Sequence, residues 1–334
     1  GVRKGTGERS LVFNGHYDVV PPGAGWNTDP FNPTVINGKI VGRGTADMKG
    51  AFASMLIAIK AIRVSRISLK GNMVFTAVPD EEIGGHLGSG YLVKSGLVQG
   101  NACIIGEPSR VDTIDIAQKG ALWLELVTLG RSAHGSMPHL GVNAVEKMAS
   151  IIMALQELKK KYMEVKSRIP FPEAVRHVTF NIGGVIQGGS KINVVPDRCS
   201  CTLDVRVIPE LTTANVERDI RKLLEDLSAK DPELRYEIRV IDRIEPAYTP
   251  EDEPIVKTIH GVIRDVLGVE PKYGGMSGFT DMRWFKEIMP TVIYGPGDIS
   301  QAHAPNESVS IEELVVASKV YALTTMRYLG YYSD

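Results

Sequence analysis

The sequence predicts an α/β protein: a mostly parallel sheet flanked by helices, interrupted by a smaller α+β layer. Three observations carry this. Residues 73–78 and 102–105 are short apolar runs, each followed by a turn with acids and a proline, as strands buried on both faces of a parallel sheet read. From about residue 117 the pattern becomes alternating strands and two amphipathic helices in the order β-α-β-β-α-β, that of a ferredoxin-like layer. From Pro246 the first pattern resumes. We therefore expect one domain over 1–116 and 246–334, with a second, 117–245, inserted into it.

The bulk composition fits two globular domains: 334 residues, 43% apolar and 23% charged. A net charge of −1 gives no reason to expect nucleic acid or an anionic membrane as partner. Cys103, Cys199 and Cys201 lie in strand-like runs without metal-ligand spacing, and read as buried thiols of a reducing, cytoplasmic compartment. No apolar run approaches the ~20 residues needed to span a bilayer, and no secretory signal pattern precedes Leu11.

Residues 10–14 form the first strand, and Gly15-His16-Tyr17-Asp18 follows. His16 and Asp18 are two apart, so in extended chain they project to one side, as a ligating imidazole and the carboxylate beside it would. Asn37-Gly38 between β-branched residues marks a hairpin. It delivers Gly42-Arg43-Gly44-Thr45-Ala46-Asp47-Met48-Lys49-Gly50, then an apolar helix over 51–62. Asp47 can be read as that helix's N-cap or as a site residue set among glycines.

The strand 73–78 ends at Pro79, and Asp80-Glu81-Glu82-Ile83-Gly84-Gly85 follows. Open α/β sheets hold ligands at the carboxyl ends of their strands, and gathered carboxylates repel one another until a cation joins them. His86 reads as a neighbour of this turn rather than a ligand. After a helix near 89–95, the strand 102–105 repeats the arrangement with Gly106-Glu107-Pro108-Ser109.

In the inserted layer, Leu122, Leu124 and Leu126 alternate with Trp123, Glu125 and Val127. A helix over 143–161 carries the stripe Val145, Met148, Ile152, Leu155 and Leu158, and a second carries Val216, Ile220, Leu223 and Leu227. Strands are predicted over 178–186 and 199–207 and around Tyr236, Ile238 and Val240. Beyond it, Pro254 and Gly268 bracket a helix. A glycine-rich segment, 273–285, holds Ser277, Thr280, Asp281 and Arg283. A strand over 290–294 leads to Ala302-His303-Ala304-Pro305-Asn306-Glu307, and a last helix spans 311–328.

The strand-end candidates are thus His16, Asp47, Glu81, Glu82, Glu107 and His303. Two imidazoles and several carboxylates without cysteine suit a pair of Zn²⁺, Co²⁺ or Mn²⁺ ions. With their flanking residues these motifs resemble those of the M20 metallopeptidases, in the branch of acetylornithine deacetylase, succinyl-diaminopimelate desuccinylase and carboxypeptidase. The likeness covers essentially the whole chain in order. It implies a zinc-peptidase-like catalytic domain holding two divalent ions, zinc first. Asp47 would bridge them, His16 and Glu107 would complete one shell, and Glu82 and His303 the other. Asp18 would orient the His16 side, and Glu81 would be the general base of an amidohydrolase acting on a small N-acyl amino acid.

The resemblance also makes 117–245 a lid and homodimerisation domain. Ser132-Ala133-His134-Gly135 matches the motif whose histidine completes the site, often in the partner subunit. Asn193 and Arg206 match substrate-binding lid residues, Arg206 with a fork for a carboxylate. Thr280-Asp281 and neighbouring Gly278 match a substrate-side loop, in which Phe279 stands where a small residue is more usual. Family members usually carry several tens of residues before the Gly-His-x-Asp strand, and this chain begins close to it. The edge of the catalytic sheet is where a difference is expected. Two other readings compete: a catalytically silent metal-binding scaffold, which should have lost one of the six residues, and a metallophosphatase, which the lack of a phosphate-cradling glycine loop opposes. Within the family, carboxypeptidase, dipeptidase and aminoacylase activities remain alternatives.

Overall fold

A computed structural model describes residues 1–332, which form two compact units. The first comprises residues 1–118, Ala247–Met276 and the chain from Thr280 onward; the second comprises Lys119–Pro246 with Ser277–Phe279.

The first unit is built on an eight-stranded sheet. At its centre the strand Ser10–His16 lies parallel between Asn72–Val78 and Ala102–Ile105. Thr291–Ile293 continues the parallel run beside Ala102–Ile105. Leu11, Val12, Cys103, Ile104 and Ile105 are all fully buried, which is why these strands read as continuous apolar runs rather than alternating ones. The edge is closed by Val2–Arg3, antiparallel to Asn72–Val78. Helices Gly50–Val64 and Ile311–Leu329 pack against each other.

Helix Pro254–Leu267 starts on its proline and ends at Gly268 in the left-handed conformation (φ 69°), the asymmetry the sequence predicts. Asn37 and Gly38 both take positive φ (49° and 75°) between strands Thr34–Ile36 and Lys39–Val41, as a tight hairpin turn of matching twist requires.

The second unit has a four-stranded antiparallel sheet. Strand Arg198–Val207 pairs with Thr179–Gly188 on one side and Gly120–Leu129 on the other, and Gly120–Leu129 pairs in turn with Arg235–Ile244. Helices Ala144–Met163 and Thr213–Lys230 cover one face. Leu122, Leu124 and Leu126 point into the helices with Leu203 and Val205. Burial of each such side chain contributes about 1.5–3 kcal/mol.

Two predicted helical stripes are displaced. In the first helix the buried residues are Ala144, Met148, Ile151, Leu155 and Tyr162, and Val145 is 40% exposed. In the second, Leu224 rather than Leu223 is fully buried. Adjacent apolar residues compete for a face of limited width, and the tilt of the helix on the sheet decides between them. Asn143 caps the first helix, its side chain accepting from Val145 N (3.0 Å) and Glu146 N (3.3 Å). Asn143→Ala is expected to cost about 0.5–2 kcal/mol, read from urea denaturation of the whole protein. The three cysteines are free and buried, and no helix among the described residues is long and apolar enough to cross a membrane.

Candidate active site

Adjacent parallel strands bring their carboxyl ends to one place. His16 is the last residue of the central strand. The neighbouring strand ends at Val78 and leads into the Asp80–Gly85 turn that carries Glu81 and Glu82; the strand on the other side ends at Ile105, two residues before Glu107. Gly85 (φ 68°) has no room for a side chain: a Cβ there would meet Asp281 Oδ1 at 2.7 Å and Trp284 Nε1 at 3.0 Å. Asp47 comes from the kinked segment Thr45–Lys49, where its torsions are non-helical and the peptide to Met48 is cis. The cap reading of Asp47 fails, because the following helix starts on Lys49 without a side-chain cap. His303 follows the short turn Ile299–Gln301.

The side chains from these five places meet. His16 Nε2 lies 3.0 Å from Asp47 Oδ1 and 3.4 Å from Glu107 Oε1. His303 Nε2 lies 2.9 Å from Glu82 Oε2 and 3.4 Å from Asp47 Oδ2. Asp47 therefore turns one oxygen to each imidazole. His16, Asp47 and Glu82 offer ligand atoms within 4.8 Å of one another, as do His16, Glu81 and Glu107. On the far side of the ring, His16 Nδ1 faces the backbone oxygen of Asp18 at 3.0 Å and its carboxylate at 3.4 Å. That contact fixes the ring so that Nε2 points into the cluster. A donor set of two imidazoles and several carboxylates, most of them buried, fits divalent cations.

The charges are strongly interdependent. Burial pushes Glu107 up to about 7, with the Asp47 charge adding to it and His16 opposing. Glu81 is raised well above the usual carboxyl range by burial and by the charges of Glu107, Asp281 and Asp47, against the opposing His16. For Asp47, burial is outweighed by hydrogen bonds to His16 and His303, which hold it ionised. Burial would lower His16, but Glu107, Asp18 and Asp47 together raise it well above its ordinary value.

The chain matches the profile of peptidase family M20/M25/M40 over residues 12–327. It belongs to that family. Among curated relatives, acetylornithine deacetylase of Aliivibrio salmonicida is 35% identical over 309 residues, covering 91% of this chain and 77% of the relative. The N-formyl-4-amino-5-aminomethyl-2-methylpyrimidine deformylase of Halalkalibacterium halodurans is 31% identical over 333 residues, covering 93% and 77%. Among solved structures, the M20 family metallo-carboxypeptidase Sso-CP2 of Sulfolobus solfataricus superposes with a TM-score of 0.78 at 25% identity, covering 98% of this chain and 87% of that one. This M20 chain is a metal-dependent hydrolase of amide or peptide bonds.

Other residues singled out in the M20 chain lie as follows. His134 and Asn193 are held together in the second unit: His134 bridges Val194, and Gly135 N donates to Asn193 O at 2.8 Å. His134 Nδ1 lies 2.8 Å from Ser136 Oγ, and both His134 and Asn193 are exposed. Arg206 is gripped by Asp204, with Nε on Oδ1 at 2.9 Å and Nη2 on Oδ2 at 3.2 Å, and lies 5.4 Å from the centre of the Phe279 ring. Gly278 is half-buried, and a Cβ there would meet nothing within 4 Å.

Thr280 departs from its predicted place as a substrate ligand. It is 4% exposed, its hydroxyl donates to Gln118 Oε1 (2.8 Å), and it accepts from Met282 N (3.1 Å). Its hydroxyl proton is thus committed inside the protein. The next residue, Asp281, matched with Thr280 to the substrate-side loop, is 1% exposed and belongs to the buried network. Its Oδ2 accepts from Asn14 Nδ2 (2.9 Å) and Ser89 Oγ (2.7 Å). Asn14 lies two residues before His16, so this tie bears on the strand that presents the imidazole. His86 stacks edge-on against Trp284, outside the ligand groups.

His303 has a measurable consequence. Its hydrogen bond to Asp47 comes first in raising it, burial opposes, and the charges of Glu82 and Asp47 bring it to about 9. The unfolded imidazole titrates near 6.5. In the metal-free M20 chain this contribution to stability is fully present below about 6.5 and lost as pH rises through about 9. A cation competes for the same nitrogen, so zinc uptake by the apoprotein should tighten steadily from pH 7 to 9, as measured against a chelator buffer.

Proposed function

We propose that this M20 chain removes the acyl group from a small N-acyl amino acid, of the acetylornithine or succinyl-diaminopimelate type. The observation that carries the reading is Asp47, with one carboxylate oxygen toward each of two imidazoles. We assign Asp47 as the bridge between two divalent ions, His16 and Glu107 to one, and Glu82 and His303 to the other. Zinc is the first choice, cobalt or manganese the alternatives. Bound there, the pair supplies an acidified water and a Lewis acid for the amide carbonyl.

The chain's own groups do the rest. Glu81, at the mouth of the acidic turn, takes the proton from the attacking water and passes it to the leaving amine nitrogen. Asp18 keeps the His16 ring oriented. His134 donates to the oxygen that becomes negative as the carbonyl is attacked. Arg206, with two of its five N–H groups held by Asp204, presents the remainder to the substrate carboxylate. Asn193 and Gly278 complete the substrate contacts. The unit over 117–245 serves as lid and homodimer surface, with a small-molecule substrate as the only other partner. The reducing, cytoplasmic location read from the cysteines suits that role.

A second reading, a carboxypeptidase or dipeptidase, is favoured by the likeness to a metallo-carboxypeptidase. A panel of acetyl- and succinyl-amino acids and dipeptides, assayed on zinc- and cobalt-loaded protein, tests both. The acyl-amino acids should turn over with the higher kcat/KM. Preference for dipeptides would favour the second reading, and hydrolysis of neither would sink both.

A further inference from the structure

Asp47 and His303 arrive on loops far apart in sequence, and a buried ion pair ties these loops together. The Arg43 and Glu307 side chains are 1% and 0% exposed, with Arg43 Nη1 donating to Glu307 Oε2 at 2.6 Å. The same oxygen accepts from Gly44 N at 3.0 Å, and Oε1 accepts from Ala46 N at 2.8 Å and Asp47 N at 3.0 Å. One carboxylate thus holds three backbone amides of the segment that carries Asp47. It stands four residues after His303 on the His303 loop, and its own carbonyl accepts from Gly42 N (2.9 Å).

The same pair reaches the loop that follows Asp18. Arg43 Nη2 donates to Pro22 O (3.2 Å), and the guanidinium lies 5.2 Å from the Trp26 ring centre. Asn306, beside Glu307, accepts from Asn27 N (2.8 Å) and donates to Gly25 O (3.2 Å). A buried carboxylate is stable only when its oxygens are well occupied. Here they take four donors, and an apolar replacement would leave the amides of 44, 46 and 47 without an acceptor.

We propose that the Arg43–Glu307 pair is the positioning device of the metal centre. It holds the Asp47 carboxylate between His16 and His303, and so sets the affinity for the ions without touching ion or substrate. The inference rests on the ligand assignment above. Partners of this kind are typically worth 10–100-fold in metal affinity.

The test is calorimetric titration of zinc into the chelator-treated protein for the parent, Glu307→Gln and Arg43→Lys. Gln keeps the shape but cannot satisfy four donors. Lys keeps the charge but loses the fork. Zinc binding should weaken about 10–100-fold in Glu307→Gln and by a smaller factor in Arg43→Lys, with excess zinc recovering turnover and KM unchanged. Should Glu307→Gln fail to fold, Arg43→Lys decides. Parent-like zinc affinity in a folded variant would overturn the proposal, as would a loss of kcat that excess zinc does not recover. A parent protein that takes up fewer than two ions would overturn the ligand assignment instead, and the proposal with it.

Discussion

Glu81→Gln is expected to retain its metal and lose kcat by about 10²–10⁴-fold. Glutamine keeps the size and a hydrogen-bonding oxygen but cannot take up the proton of the attacking water. The position suits a proton carrier. In the metal-free cluster burial raises the Glu81 carboxyl well above its usual range, and neighbouring Glu107, Asp281 and Asp47 add to that; bound cations would pull it back down. A base serves best when its affinity for the proton lies near that of the acidified water, about 7. Because Glu81 also lies within ligand distance of His16 and Glu107, metal analysis of the variant is the discriminating readout. Full zinc content with lost turnover fits the base. Lost zinc would make Glu81 a ligand.

Asp47→Ala should be more severe in a different way: the metal itself should go. Asp47 turns one oxygen to His16 and the other to His303, so its removal takes one donor from each proposed ion. It also leaves Glu107, Glu82 and Glu81 with less reason to share a site. Zinc affinity should fall by more than the roughly 100-fold seen for outer partners, and activity at trace zinc should reach background. A variant that still binds two ions tightly would show that Asp47 does not bridge.

Much of this was legible in the residues because it is periodic or local. The alternation of Leu122, Leu124 and Leu126 fixes one face of a strand, since side chains repeat every two residues. Asn37-Gly38 and the Pro254 and Gly268 brackets are local torsion preferences, and the structure keeps both. His16, Asp47, Glu82, Glu107 and His303 stood out as polar residues placed directly after apolar strands or among glycines, where a folded sheet gathers loops. Less legible was anything set by tertiary direction. Thr280 faces inward onto Gln118, because Gln118 sits at the end of a buried strand that the local sequence of 277–281 does not reveal. Val145 is exposed and Ile151 buried, a choice between apolar residues of one helix that periodicity alone does not make. Glu307 stands in the sequence only as an acid four residues after His303. Its importance lies in three amides some 260 residues away, and no local pattern reports such a contact.

How the ions sit between His16 and His303 is directly observable. Anomalous diffraction from zinc-loaded crystals should show two ions about 3.5–4 Å apart, with one Asp47 oxygen on each. His16 and Glu107 should bind one ion, Glu82 and His303 the other, and Glu81 neither. A single ion, or two ions with Asp47 bound to only one of them, would contradict that arrangement.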